Sequence, residues 1–186
     1  MPARLAKKGL IILDRDGVIN RDSEVFVKSA AEWIPLPGSI AAIATLSRAG
    51  FTVTIASNQS GLARGLFDRG ALLAMHRKLR KLVAAEGGMV ARIVVCPHGP
   101  DGGCACRKPG PGLLLRLARH YDTDLTDVPV VGDSLRDIQA ALAVGARPIL
   151  VRTGNGANTE SAFPPDYSKI EIFDDLAAAT SALIQE

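Results

Sequence analysis

Aromatic residues are scarce in this 186-residue chain: one Trp, two Tyr and five Phe, 4% in all. A core with so few rings must be packed with aliphatic and small side chains, which dominate the 47% hydrophobic fraction. That balance suits strands covered by helices on both faces. No stretch approaches the ~20 apolar residues of a membrane span. The apolar run that follows the basic start Met-Pro-Ala-Arg-Leu-Ala-Lys-Lys ends after a few residues at Asp14, too soon for a signal-peptide core. A cytoplasmic protein without a membrane partner is therefore expected. The net charge is only +3, and no basic stripe accompanies it. This argues against nucleic acid and fits an anionic small molecule. Heptads, repeats and low-complexity segments are also missing, so the expectation is a monomer with a single domain over residues 1–186. Three cysteines crowd between Cys96 and Cys106. An odd, clustered set is a poor disulfide framework and a good metal site.

What is present is an alternation of strand-like and helical patterns. Strands are expected at Leu10–Leu13, Phe51–Ala56, Ala91–Val95, Pro129–Val131 and Pro148–Val151, with a sixth at Ile170–Phe173. Helices are expected from Pro37-Gly38 to Gly50, from a cap at Asp68 to Glu86, from Pro111, over Asp137–Val144, and after a cap at Asp174. Gly154–Pro165 reads as a long polar loop. Strand–helix alternation is the signature of an α/β fold: a Rossmann-like three-layer architecture with a central, mainly parallel sheet. Such sheets bind ligands beyond the carboxyl ends of their strands. Four polar clusters follow four of the strands: Asp14-Arg15-Asp16, Ser57-Asn58-Gln59-Ser60, Cys96 through Lys108, and Gly132-Asp133. All should face one side.

Asp14 and Asp16 at one strand end, with Asp133 at another, gather carboxylates whose repulsion a divalent cation relieves. Magnesium prefers such oxygen ligands and keeps waters or substrate phosphate as the rest of its shell. Asp137, one helical turn on, is placed to support Asp133 from behind. Backbone N–H groups near Gly17 and Asn58 are candidate donors to an oxyanion. An Asp16 carboxyl kept protonated by its neighbours would suit a general acid. Separately, Cys96-Pro-His98 and Cys104-Ala-Cys106 offer three thiolates and an imidazole, the Cys₃His set of a structural zinc site. The glycines and prolines around them argue against a core element. Cys106 runs directly into Arg107 and Lys108, so zinc would clamp the loop that aims both side chains.

Together these motifs resemble the haloacid dehalogenase (HAD) superfamily. Asp14-Arg-Asp-Gly-Val-Ile-Asn20 is similar to its first motif, Ser57 to the second, Lys108 in Arg-Lys-Pro-Gly-Pro-Gly to the third, and Gly132-Asp-Ser-Leu-Arg-Asp137 to the fourth. The resemblance spans nearly the whole chain. It implies a magnesium-dependent phosphatase in which Asp14 attacks phosphorus and Asp16 acts as acid and then base. It further implies that Ser57 and Lys108 hold the phosphoryl oxygens, and that Asp14, the Asp16 carbonyl and Asp133 bind magnesium. The zinc loop and the lack of any insertion large enough for a cap resemble the capless, zinc-containing, histidinol-phosphatase-like subgroup. Within it, Ser57-Asn-Gln-Ser-Gly-Leu-Ala-Arg-Gly65 points to a sugar bisphosphate. Its second phosphate needs a separate cation, Arg107 first and Arg64 second. The segment Asp22, Ser23, Glu24 and Val25 is implied to touch the sugar, and Asn58, Gln59 and Ser60 to line the same pocket. The alternatives are histidinol phosphate, a DNA 3′-phosphate end, or a zinc-stabilised binding module without catalysis.

Overall fold

The computed structural model describes residues 6–185; residues 1–5 and 186 of the expected domain, most of its basic start included, lie outside them. The elements in order are β1 (Leu10–Leu13), α1 (Ser39–Arg48), β2 (Thr52–Asn58), α2 (Arg69–Ala85), β3 (Arg92–Cys96), α3 (Gly112–Tyr121), β4 (Pro129–Gly132), α4 (Leu135–Leu142), β5 (Arg147–Val151), α5 (Gly156–Ser161), β6 (Glu171–Phe173) and α6 (Leu176–Gln185). All six strands join one sheet in the order β3-β2-β1-β4-β5-β6, and every neighbouring pair is parallel. The chain winds outward from β1 in one direction and from β4 in the other. The two first strands of each half therefore meet at a topological switch point, where the crossovers diverge and leave a crevice.

The central strand is apolar on both faces, as a doubly covered parallel strand must be. Ile11 and Leu13 face one side with Val53, Ile55, Met75, Leu79 and Leu183. Leu10 and Ile12 face the other with Val94, Leu114, Leu117 and Val130. Helices α1, α2 and α6 thus cover one face, and α3 and α4 the other. Each of these large aliphatic side chains contributes about 1.5–3 kcal/mol by leaving water, so the chain fills its core with few rings.

Two sequence expectations change. The supposed loop Gly154–Pro165 contains α5, a six-residue helix with almost no apolar residue, so no hydrophobic periodicity announces it. The last helix is capped by Asp175, whose carboxylate accepts from the Ala178 N–H at 2.8 Å. Asp174 instead pairs with Arg152. No strand outside the one sheet forms among the described residues, and no cap domain stands over its edge.

Candidate active site

Strand ends deliver the carboxylates. The residue after β1 is Asp14, and its N–H continues the sheet ladder onto the Val131 carbonyl at 2.8 Å. The residue after β4 is Asp133, and Asp137 follows in the first turn of α4. Carboxylate oxygens of Asp14, Asp133 and Asp137 lie within 4.8 Å of one another. Lys108 reaches into this group from the loop after β3. Its Nζ is 2.9 Å from Asp14 Oδ1 and 2.5 Å from Asp137 Oδ1, and it donates to the Ala56 carbonyl at 2.8 Å. Asn58 holds the Lys108 backbone from both sides, donating to its carbonyl and accepting from its N–H. The Asn58 amide is thus spent on positioning Lys108.

Burial is the main force on the charges here. It pushes Asp14 well above the usual carboxylate range, an effect that Lys108 offsets and that Asp137, Asp133 and Asp16 reinforce. Asp133 is pushed to about 7 by burial and then by Asp137, against the N–H of Asn155. Burial opposes the charge of Lys108 too, but Asp137 and Asp14 outweigh it and hold the ammonium more firmly protonated than usual.

Asp16 departs from expectation. Its carboxylate does not join the cluster. Burial pushes it up, but Arg15 beside it, with hydrogen bonds from Arg15, Asn20 and Gln59, outweighs that and holds it below its ordinary value. Arg15 donates through Nε and Nη2 at 3.1 and 2.8 Å, Asn20 at 2.9 Å and Gln59 at 2.8 Å. The neighbours of Asp16 therefore keep it ionised rather than protonated. The same Gln59 Nε2 donates to Ser57 Oγ at 2.7 Å, tying the end of β2 to Asp16. Gly17 N–H, expected as an oxyanion donor, is taken by the Asn20 carbonyl at 2.8 Å.

The residues fit a hard divalent cation. Asp14 Oδ1 is buried and touches Lys108 without a well-directed hydrogen bond. Two glycines at positive φ, Gly17 and Gly154, clear the space around Asp133: a Cβ on them would stand 1.9 and 2.2 Å from Asp133 Oδ2. Three clustered carboxylates with an under-satisfied buried oxygen are the donor set magnesium takes. The segment after Gly154, whose role the sequence left open, secures this acid. Asn155 N–H donates to Asp133 Oδ2 at 2.9 Å, and Thr159 Oγ1 to the Asp133 carbonyl at 3.0 Å.

These groups line a cavity of about 430 Å³ that also contains Asp22, Ser23, Ser57, Gln59, Ser60, Arg64 and Arg107. Glu24 and Val25, expected with Asp22 and Ser23, do not line it, and Val25 is 67% exposed. Phe26, Asn155 and Arg136 do line it and were not foreseen. Phe26 holds a left-handed φ of 66°, a strained state for a bulky residue. Its ring lies 5.6 Å from the Arg64 guanidinium. A larger cavity of about 850 Å³ next door, between Lys28, Leu62, Phe67 and His98, is lined by Asp68 but by none of Asp14, Asp16, Asp133 and Asp137.

The cysteine cluster closes as expected. Cys96 sits buried at the end of β3. Its Sγ is 3.6 Å from Cys104 Sγ and 3.2 Å from Cys106 Sγ, with Cys104 and Cys106 3.5 Å apart. His98 Nδ1 lies 3.6 Å from Cys96 and 3.2 Å from Cys106. A tetrahedron with ~2.3 Å metal–sulfur arms has edges of roughly 3.8 Å, so the four atoms sit close to its corners. Arg107 Nη1 donates to the His98 carbonyl at 3.2 Å, which links the loop to the cavity.

A sequence model of HAD-hydrolase-like proteins matches residues 105–179. The chain is 56% identical to a D-glycero-beta-D-manno-heptose-1,7-bisphosphate 7-phosphatase of Pseudomonas aeruginosa, over 96% of this chain and 99% of the relative. It is 56% identical to the enzyme of that name from Bordetella bronchiseptica, over 95% and 98%. A crystal structure of the B. bronchiseptica D,D-heptose 1,7-bisphosphate phosphatase with magnesium and phosphate superposes with a TM-score of 0.91, covering 95% of this chain and 98% of that one. The Burkholderia thailandensis counterpart, 40% identical, superposes with a TM-score of 0.75 over 96% and 99%.

Proposed function

The chain belongs to the D-glycero-beta-D-manno-heptose-1,7-bisphosphate 7-phosphatases of the HAD superfamily, and we propose that it removes the 7-phosphate of that sugar through an aspartyl-phosphate on Asp14. It is a magnesium-dependent phosphatase. Its reaction serves the making of ADP-heptose for the lipopolysaccharide core, in the cytoplasm and as a monomer. The names of the relatives support the beta anomer. No observation favours histidinol phosphate or a non-catalytic module.

The observation that carries the reading is the set of Asp14, Asp133 and Asp137 around buried Lys108 at the switch point. Asp14 Oδ attacks phosphorus and the bond to the sugar O7 breaks. Lys108 and Ser57 hold the phosphoryl oxygens, and positioning with charge neutralisation supplies most of the acceleration. Asp16 gives a proton to the leaving O7. It then takes one from the water that attacks phosphorus and frees Asp14. An ionised resting Asp16 suits the second step directly. For the first, the arriving phosphate dianion raises its proton affinity. Asp14, the Asp16 carbonyl and Asp133 would hold magnesium, which would neutralise charge on the phosphate. Asp137 anchors Lys108 from behind. Cys96, His98, Cys104 and Cys106 would hold zinc, a structural ion.

Replacing the nucleophile tests this. Asp14→Asn should lose turnover by at least about 10³-fold at saturating magnesium, with its far-UV spectrum and melting cooperativity intact. Retention of wild-type turnover would overturn the assignment.

A further inference from the structure

We propose that Arg136 is a specificity-determining residue that receives, together with Arg107, the phosphate the enzyme does not remove. This rests on the sugar-bisphosphate reading above and goes beyond it. The reaction at phosphorus occupies Asp14, Lys108 and Ser57, so the second phosphate must be met elsewhere on the rim. Four arginines line the cavity; Arg15 is buried against Asp16, and two of the other three have company already. Arg64 stacks over Phe26, and Arg107 donates to the His98 carbonyl. Arg136 makes no hydrogen bond or ion pair among the described residues, although its side chain is exposed beside the carboxylates.

Its position makes that solitude informative. Arg136 is the second residue of α4, where the positive end of the helix disfavours a cation. An unpaired guanidinium there costs stability unless an anion meets it. Arg136 borders the catalytic cavity and also a cleft of about 300 Å³ lined by Gly99, Pro100, Gly103, Arg107 and Lys108. Arg107 and Arg136 therefore share both spaces, while Arg64 borders only the first. Asp22, exposed on the same rim, feels the Arg136 charge but lies beyond ion-pair distance. A planar guanidinium can meet a phosphate with two parallel hydrogen bonds. The cleft beside Lys108 thus has a cation on each flank and leads away from the reacting phosphorus.

The test compares wild type, Arg136→Gln and Arg136→Lys on the heptose 1,7-bisphosphate and on p-nitrophenyl phosphate, which has no second phosphate. Wild type should prefer the bisphosphate. Arg136→Gln should cut the ratio of the two kcat/KM values by about tenfold or more, chiefly through KM for the bisphosphate, and Arg136→Lys should restore part of it. A wild type that prefers the bisphosphate and a Gln variant that keeps the full preference would overturn this inference alone. Parallel losses on both substrates would also overturn it, since they report a structural role. A wild type with no preference would overturn the substrate reading and this inference together.

Discussion

Asp133 illustrates how a functional carboxylate is held against its own chemistry. Burial and Asp137 push its proton affinity to about 7, whereas the unfolded chain ionises the same group near 3.8. Above that lower value its ionisation costs the folded state, and the cost grows until pH reaches the folded value. The metal-free Asp133→Asn variant should therefore be more stable than wild type at pH 8, by a few kcal/mol at about 1.4 kcal/mol for each pH unit between the two values, while losing turnover. Denaturant melts in a chelator would read this; a destabilised variant would contradict it. If Asp14 and Asp133 hold magnesium, the ion must displace the protons they retain, so its affinity should weaken as pH falls below about 7, by up to about tenfold per unit for each proton released. Calorimetric titration at pH 6 and pH 8 measures this, and equal affinities would refute it. The strand-end positions of Asp14 and Asp133 were readable because each follows an apolar run, with only Gly132 between that run and Asp133. The state of Asp16 was not: Arg15 and Asn20 are near it in sequence, but Gln59 arrives from β2. Arg136 was hidden for a similar reason, since only the fold brings the start of α4 beside Arg107.

The loop from Cys96 to Cys106 acts as an element despite having no regular structure. It carries few apolar side chains, and the side chains of Cys96, His98, Cys104 and Cys106 converge on one point. Its far end continues into Arg107 and Lys108, and Asn58 grips Lys108 from β2. If zinc ties the loop, Cys106→Ser should lose bound zinc and lower kcat/KM by roughly tenfold or more, though Cys106 touches no reacting atom. Zinc loss with unchanged kinetics would show that the loop needs no clamp. That these four side chains come together was legible from their spacing, because groups in one compact loop need little tertiary information to meet. By contrast α5 escaped notice, since a six-residue polar helix is formed by its contacts with Asp133 and β5 rather than by its own pattern.

The molecule as a whole is a doubly wound sheet whose order puts Asp14 and Asp133 just beyond the ends of adjacent strands. Alternating apolar runs and helical periods made the α/β class legible; the strand order was not, because parallel pairing leaves no turn signal in the sequence. Stability of the whole should carry a histidine signature on the acid side. His76 is half-buried on α2, and desolvation, with Arg15 and Arg80, lowers its proton affinity from 6.5 to about 4. Between those values the unfolded chain binds the extra proton, so stability is lost as pH falls. Unfolding free energies from urea melts at pH 7 and pH 5 should differ in wild type by on the order of 1–2 kcal/mol more than in His76→Gln. Identical pH dependence in both would contradict this.

A phosphatase site of this kind is defined by which phosphate of which substrate it removes. The direct measurement is kcat/KM, with magnesium, on D-glycero-beta-D-manno-heptose 1,7-bisphosphate and on histidinol phosphate, with phosphorus NMR to identify the group released. The expected result is a preference for the bisphosphate of at least about 100-fold and loss of the 7-phosphate alone. Equal rates on the two substrates, or release of the 1-phosphate, would contradict it.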